Sequence, residues 1–212
     1  MDLWLLWVIQ LSPLVAFLLI QALPKAAKKF GAVVGVTGSL VAAAASLTLF
    51  WANRSGDALP KEFLTQWLQV SDRSLWAQVS IEHYSIHVGF LVDPLNLLMI
   101  SLVTVISFFV QLFSVYYMAE DASKARYFAF LSFFSFSMTG LVLSSNLLQT
   151  FLFWELVGLT SYLLIGFWYE KKTAADAGRK AFVLNRLGDL GFYLGVILLF
   201  LFFGTKIGRA HV

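Results

Sequence analysis

Cysteine is absent from this chain of 212 residues. No disulfide can staple it, and no thiolate can hold zinc or an iron–sulfur cluster. Charge is scarce as well: 13% of residues are charged, against about 25% in an ordinary soluble domain. The net charge of +3 is too small and too scattered to recruit nucleic acid. Only three histidines occur. Two of them, His83 and His87, have neither acidic nor thiol companions, which makes a poor metal site. There is no Walker loop, no dinucleotide glycine motif, no nucleophile elbow and no haem-type His pair in an apolar run. The chain carries protonatable groups and no redox group.

What remains is apolar. Apolar residues make up 59% of the chain, and mean hydropathy is +0.80. A helix of about 20 residues crosses roughly 30 Å of hydrocarbon. Runs of that length predict six spans at 3–23, 30–52, 92–117, 127–146, 147–169 and 181–203. Trp4, Trp7, Trp51, Tyr116, Tyr117, Trp168 and Tyr169 stand near run ends, as interfacial anchors do. The first run follows Asp2 and no basic stretch, so a spanning helix is expected there rather than a signal peptide. The fourth and fifth runs abut at Ser144-Ser145-Asn146 and predict a tight helical hairpin. In the long 53–91 loop, alternating patches from Gln78 to Leu91 predict a small β-hairpin turning near Tyr84-Ser85.

Lys25, Lys28, Lys29, Lys124, Arg126, Lys171, Lys172, Arg179 and Lys180 all fall on one side of such a six-span chain. The positive-inside rule makes that side cytoplasmic. In the second run Gly31, Gly35, Gly38, Ala42 and Ala45 form a small-residue stripe, and in the fourth Ser132, Ser135 and Thr139 do the same. Such stripes let helices approach closely in lipid.

Glu155 lies near the middle of the fifth run. An intramembrane carboxylate costs on the order of 2–3 kcal/mol by insertion scales, and such residues commonly belong to ion paths or proton relays. Gly158, Tyr162 and Gly166 share its helical face, which fits a side chain turned toward protein or a hydrated cavity. Burial drives a lone carboxyl toward its protonated form, where it can load and release a proton. A permanently protonated structural Glu is the alternative. The sixth run carries Asn185, Arg186, Asp189 and Tyr193. Arg186 and Asp189 are three apart, so they share a face and can pair. The pair is either structural or able to trade partners when a nearby charge moves. Gly188, Gly191 and Gly195 lie close by and permit tight packing. Asp93, before Pro94, is placed to cap the third helix.

Three stretches carry a resemblance. Phe153 to Phe167 (FWELVGLTSYLLIGF) resembles the fifth-helix signature of the antiporter-like L chain of respiratory complex I, NADH-quinone oxidoreductase, called chain 5 in mitochondria. Lys180 to Asp189 (KAFVLNRLGD) resembles its sixth-helix motif. Phe90 to Leu95 (FLVDPL) resembles the opening of its third helix, although Gly is common where Pro94 stands. Sister families share the fold: the M and N chains, multi-component cation/proton antiporters and membrane hydrogenases.

The resemblance implies an all-α integral membrane fold, with residues 1–203 forming the N-terminal part of an antiporter-like bundle. It implies proton translocation as a membrane-arm subunit, with Glu155 as the proton-carrying helix-five Glu. Arg186 and Asp189 would be a coupled ion pair, with Tyr162 and Asn185 as supporting polar groups. The family's helix-seven Lys has no counterpart in this sequence, which looks like an N-terminal third. NADH, FMN, iron–sulfur clusters and quinone are expected on partner subunits. The adjacent M chain is the expected neighbour and a bacterial inner membrane the expected location. A cation/proton antiporter subunit and a non-transporting membrane scaffold are the rival readings. Ile207 to Val212 resembles a translated sequencing adapter, so 204–212 is expected to be a non-native tail.

Overall fold

The computed structural model describes residues 3–53, 61–70 and 84–203. Its elements run α1 (Leu3–Ala22), a 3-10 turn (Lys25–Phe30), α2 (Gly31–Ala52), β1 (Lys61–Val70), β2 (Tyr84–Val92), α3 (Pro94–Tyr117), α4 (Lys124–Val142), α5 (Leu147–Ile165) and α6 (Lys172–Phe203). All six α-helices are long and apolar enough to cross a bilayer. Helix is the form that satisfies every backbone group within the segment, which hydrocarbon demands.

The expected spans are present with shifted ends. Helix α6 begins at Lys172 rather than at 181, because Thr173 to Lys180 is polar yet contains no helix breaker except Gly178. Helix α5 stops at Ile165, so Trp168 and Tyr169 sit in the turn beyond it.

A β-hairpin does lie in the long loop, but its bounds and turn are a correction. Tyr84–Val92 is one continuous strand, and it pairs antiparallel with Lys61–Val70 from Lys61 opposite Val92 to Val70 opposite Tyr84. Tyr84-Ser85 is therefore a strand end and not a turn. The segment joining the strands and the side chains of His83 and His87 lie outside the described residues. Tyr84, Ile86, Val88, Phe90 and Val92 alternate with period two, the pattern of a half-buried strand. In β1 a bulge between Gln66 and Leu68 breaks that period, which hid the strand from a pattern reading.

Helices α1 to α4 pack on one another. Leu6, Ile9, Leu49, Ile100 and Val92 are fully buried in one cluster near the sheet. Ile20, Ala32, Phe128 and Ala129 form a second toward the basic end. The α2 stripe makes the close approaches possible: a Cβ at Gly38 would meet the Ala16 methyl at 2.6 Å. Ser132, Ser135 and Thr139 of α4 are buried in the same bundle. Ser46 Oγ of α2 and Thr104 Oγ1 of α3 share a 2.6 Å hydrogen bond across their interface.

The two ends of the bundle are tied differently. At one end, the Asp93 carboxylate accepts from the Asn96 N–H at 2.6 Å and caps α3. There Leu91 N–H also donates to the Leu143 carbonyl at 3.0 Å. The Gln149 amide exchanges two hydrogen bonds with the Gly89 backbone, at 3.0 and 3.1 Å. The sheet is thus docked on the α4–α5 turn, where Asn146 caps α5 by accepting from Gln149 N–H at 2.8 Å.

At the other end the Trp168 indole donates to Asp121 at 2.9 Å. Arg126 donates to the Phe167 carbonyl at 3.2 Å and lies over the rings of Phe167 and Tyr169. The Trp168 hydrogen bond, the Ser123 backbone N–H and the nearby Arg126 hold the Asp121 carboxyl below its ordinary value, while partial burial opposes them. The lysines at 28, 29, 124, 171 and 172 flank this second end. The anchoring of its turns agrees with a single water-facing basic surface.

Candidate functional site

Glu155, Gly158, Tyr162 and Gly166 form the α5 face that meets α6. Opposite them stand Arg186, Asn185, Phe182 and Gly178, running the other way along α6. A Cβ at Gly158 would lie 3.5 Å from Asn185 Nδ2 and 3.8 Å from an Arg186 nitrogen. The Tyr162 ring packs on Phe182 at 5.3 Å. A Cβ at Gly178 would meet Gly166 Cα at 3.2 Å, so two glycines set the helix approach at the basic end.

This register delivers Arg186 to Glu155. The Arg186 NH1 and the Glu155 carboxylate form an ion pair. Arg186 NH2 also reaches the Glu155 carbonyl at 3.5 Å. The same NH1 stands 3.4 Å from Asp189 Oδ2. Trp154 Nε1 of α5 donates to the other oxygen, Asp189 Oδ1, at 2.9 Å. The guanidinium lies over the Phe182 ring at 5.0 Å. Glu155 and Arg186 side chains are 23% and 33% exposed, and Asp189 is buried.

One cation is therefore shared by two carboxylates on two helices. A single guanidinium beside two carboxylates leaves a net negative cluster. Its one cation stands within reach of either carboxylate. Among the described residues the cluster offers no nucleophile and no metal-ligand set of thiols or imidazoles.

A groove of about 1000 Å³ opens beside the cluster. Met99 of α3, Met138 of α4, Trp154 and Gly158 of α5, and Asn185 and Asp189 of α6 line it. Among the described residues, no hydrogen bond joins the Tyr162 hydroxyl or the Asn185 amide to Glu155. Asn185 instead faces the groove. Gly188, Gly191 and Gly195 meet nothing within 4 Å inside this chain, so the tight packing expected of them is not made among the described residues.

Two contacts escaped the sequence reading. The Glu155–Arg186 pair needed the α5–α6 register, although matched small-residue spacings on both helices carried a hint of it. Trp154 read as part of an apolar run, and only its sequence position next to Glu155 marked it.

Comparison with known proteins adds five findings. Residues 76–128 match the family described as NADH-ubiquinone oxidoreductase (complex I), chain 5 N-terminus. Residues 144–209 match the family described as NADH:quinone oxidoreductase/Mrp antiporter, TM. Among curated proteins, the chloroplastic NAD(P)H-quinone oxidoreductase subunit 5 of Carpenteria californica is 50% identical over 123 residues, covering 58% of this chain and 17% of the relative. The Marchantia polymorpha protein of the same name is 37% identical over 198 residues, covering 90% of this chain and 27% of the relative. The chain thus spans less than a third of the length of these relatives. Among solved structures, a chain of the membrane-bound sulfane sulfur reductase, an archaeal respiratory membrane complex, superposes with a TM-score of 0.71 at 19% identity. That match covers 92% of this chain and 37% of the other, and it speaks to the fold alone. The two family matches fall on different segments of the chain, the second contains Trp154, Glu155, Arg186 and Asp189, and together with the curated relatives they support a likeness to the antiporter-like, chain 5 subunits of complex I.

Proposed function

We propose that this chain is part of a proton-translocating membrane-arm subunit of an NADH-quinone oxidoreductase, with Glu155 as its proton-carrying group. The observation that carries the proposal is the shared cation. Arg186 pairs with Glu155 across the α5–α6 interface and reaches Asp189 on its own helix. A proton arriving at Glu155 frees Arg186 for Asp189, and its departure draws Arg186 back. The charge thus moves in step with the proton, which keeps the cost of an intramembrane charge low in both states.

Within the family, the helix-five and helix-six motifs favour the L chain over the M and N chains, with an M chain as neighbour. NADH, FMN, iron–sulfur clusters and quinone belong to partner chains in this proposal, consistent with a sequence that has no cysteine. A bacterial inner membrane, with the basic end of the bundle in the cytoplasm, is the proposed setting. The match at 76–128 to the chain 5 family favours complex I over a cation/proton antiporter.

The test is pumping by the assembled complex in vesicles. Glu155→Gln keeps shape and hydrogen bonding but cannot exchange a proton. It is expected to assemble normally and to pump fewer protons per electron pair, or to lose turnover through coupling. Glu155→Asp is expected to be milder. Wild-type pumping by a normally assembled Gln variant would leave Glu155 a structural group and favour the scaffold reading.

A further inference from the structure

Asp189 is held from two sides. Its Oδ2 faces Arg186 NH1 at 3.4 Å, and its Oδ1 accepts from the Trp154 indole at 2.9 Å. Trp154 directly precedes Glu155, so α5 presents one residue to Arg186 and the next to Arg186's other partner. Interfacial tryptophans gather at span ends; Trp154 lies mid-helix, and its N–H is committed to a charge. Its ring meets Phe192 edge-on at 6.0 Å, which fixes the direction of that N–H. Among the described residues, the Arg186 Nε is buried without a hydrogen-bond partner while one terminal nitrogen serves both carboxylates.

We propose that Trp154 is a positioning residue whose indole N–H, by holding Asp189, sets how Arg186 divides itself between Asp189 and Glu155. The inference rests on the reading of Glu155 as the proton carrier. A carboxylate oxygen committed to a neutral donor is fixed in orientation, and its charge is partly drawn toward that donor. Without the indole N–H, Asp189 turns both oxygens toward Arg186 and competes harder with Glu155. The charged and titratable groups around the cluster are few. Helix α5 contributes Glu155, and α6 contributes Arg186 and Tyr193, while the α3 and α4 walls of the groove, such as Asn96, Met99, Met138 and Leu141, do not titrate.

The experiment compares the pH profile of proton pumping by the assembled complex in four forms: wild type, Trp154→Phe, Asp189→Asn and the double variant. Phe keeps a ring against Phe192 and loses the N–H. The expected result is a profile displaced by roughly half a pH unit, about threefold in proton affinity, in Trp154→Phe. No further displacement is expected when the same change is made on Asp189→Asn. A wild-type profile in Trp154→Phe, or an equal displacement in both backgrounds, overturns the inference.

Should Trp154→Phe fail to assemble, Trp154→Leu is judged by the same criteria. The indole N–H vibration of the Asp189→Asn complex gives a second readout: one weakened hydrogen bond is expected, and an unchanged spectrum counts against the proposal. Glu155→Gln, run alongside, separates the two levels of argument. Full pumping there removes the proposed function itself. Lost pumping there, with Trp154→Phe silent, removes only the role of Trp154.

Discussion

In α4, 44% of the membrane-crossing window is buried against the rest of the chain, whereas in α6 only 6% is. Helices α1 to α3 resemble α4, at 28–39%, and α5 resembles α6, at 11%. The charges divide the same way. Apart from Lys124 and Arg126 at the basic end of α4, the first four helices carry no Asp, Glu, Lys or Arg. Glu155, Arg186 and Asp189 all lie on the pair that the described residues cover least. The first four helices are held by complementary small and apolar surfaces. The last two are held by a glycine contact, an aromatic pair and a shared cation.

Breaking the ionic contact of the α5–α6 pair should have the largest effect. Asp189→Asn leaves Arg186 paired with Glu155 and the Trp154 N–H with a weaker acceptor, whereas Arg186→Gln takes the shared cation from both carboxylates, and unpairing a buried charge typically costs about 3–5 kcal/mol. Arg186→Gln is therefore expected to impair assembly or pumping more than Asp189→Asn does. Assembly and pumping of the two single variants and of their combination decide it. Strict additivity would mean that the two residues are not coupled.

Packing provides the next contrast. A Cβ at Gly38 of α2 would come within 2.6 Å of the Ala16 methyl of α1, and overpacking of that kind costs about 1–3 kcal/mol. Gly188 of α6 meets nothing within 4 Å. Gly38→Ala should lower the thermal stability of the purified chain in detergent, and Gly188→Ala should leave it unchanged. Equal losses would erase the division between the two regions.

The smallest effect is at the basic end, where the Asp121–Trp168 hydrogen bond joins the two regions. The Asp121 carboxyl is held below its ordinary value. Its stabilising contribution is therefore fully present above the unfolded-state value and is lost as pH falls through the lower folded one. Thermal stability of wild type should drop more than that of Asp121→Asn on acidification through that window, and parallel curves would show that the contact contributes nothing.

Much of this was legible in the sequence. Six apolar runs gave six helices, because span length and hydropathy are local properties. Asp93 followed by Pro94 marked the α3 cap, and Glu155 stood out as a charge in the middle of an apolar run. What escaped depends on register between elements. The spacing rule within a helix pairs Arg186 with Asp189, but only the α5–α6 alignment brings Arg186 to Glu155 and Trp154 to Asp189. The hairpin is present but was misplaced for a related reason: a bulge broke the alternation of β1, and its partner strand was then taken for a hairpin by itself. The double hydrogen bond between Gln149 and the Gly89 backbone has no local signature.

The central claim is that Glu155 gains and loses a proton while Arg186 changes partners. Infrared difference spectroscopy on the assembled complex during turnover tests it directly. The account predicts a protonated-carboxyl band that rises and falls with turnover in wild type and is missing in Glu155→Gln. A turnover spectrum in which no carboxyl band depends on Glu155, from a complex that pumps normally, would contradict it.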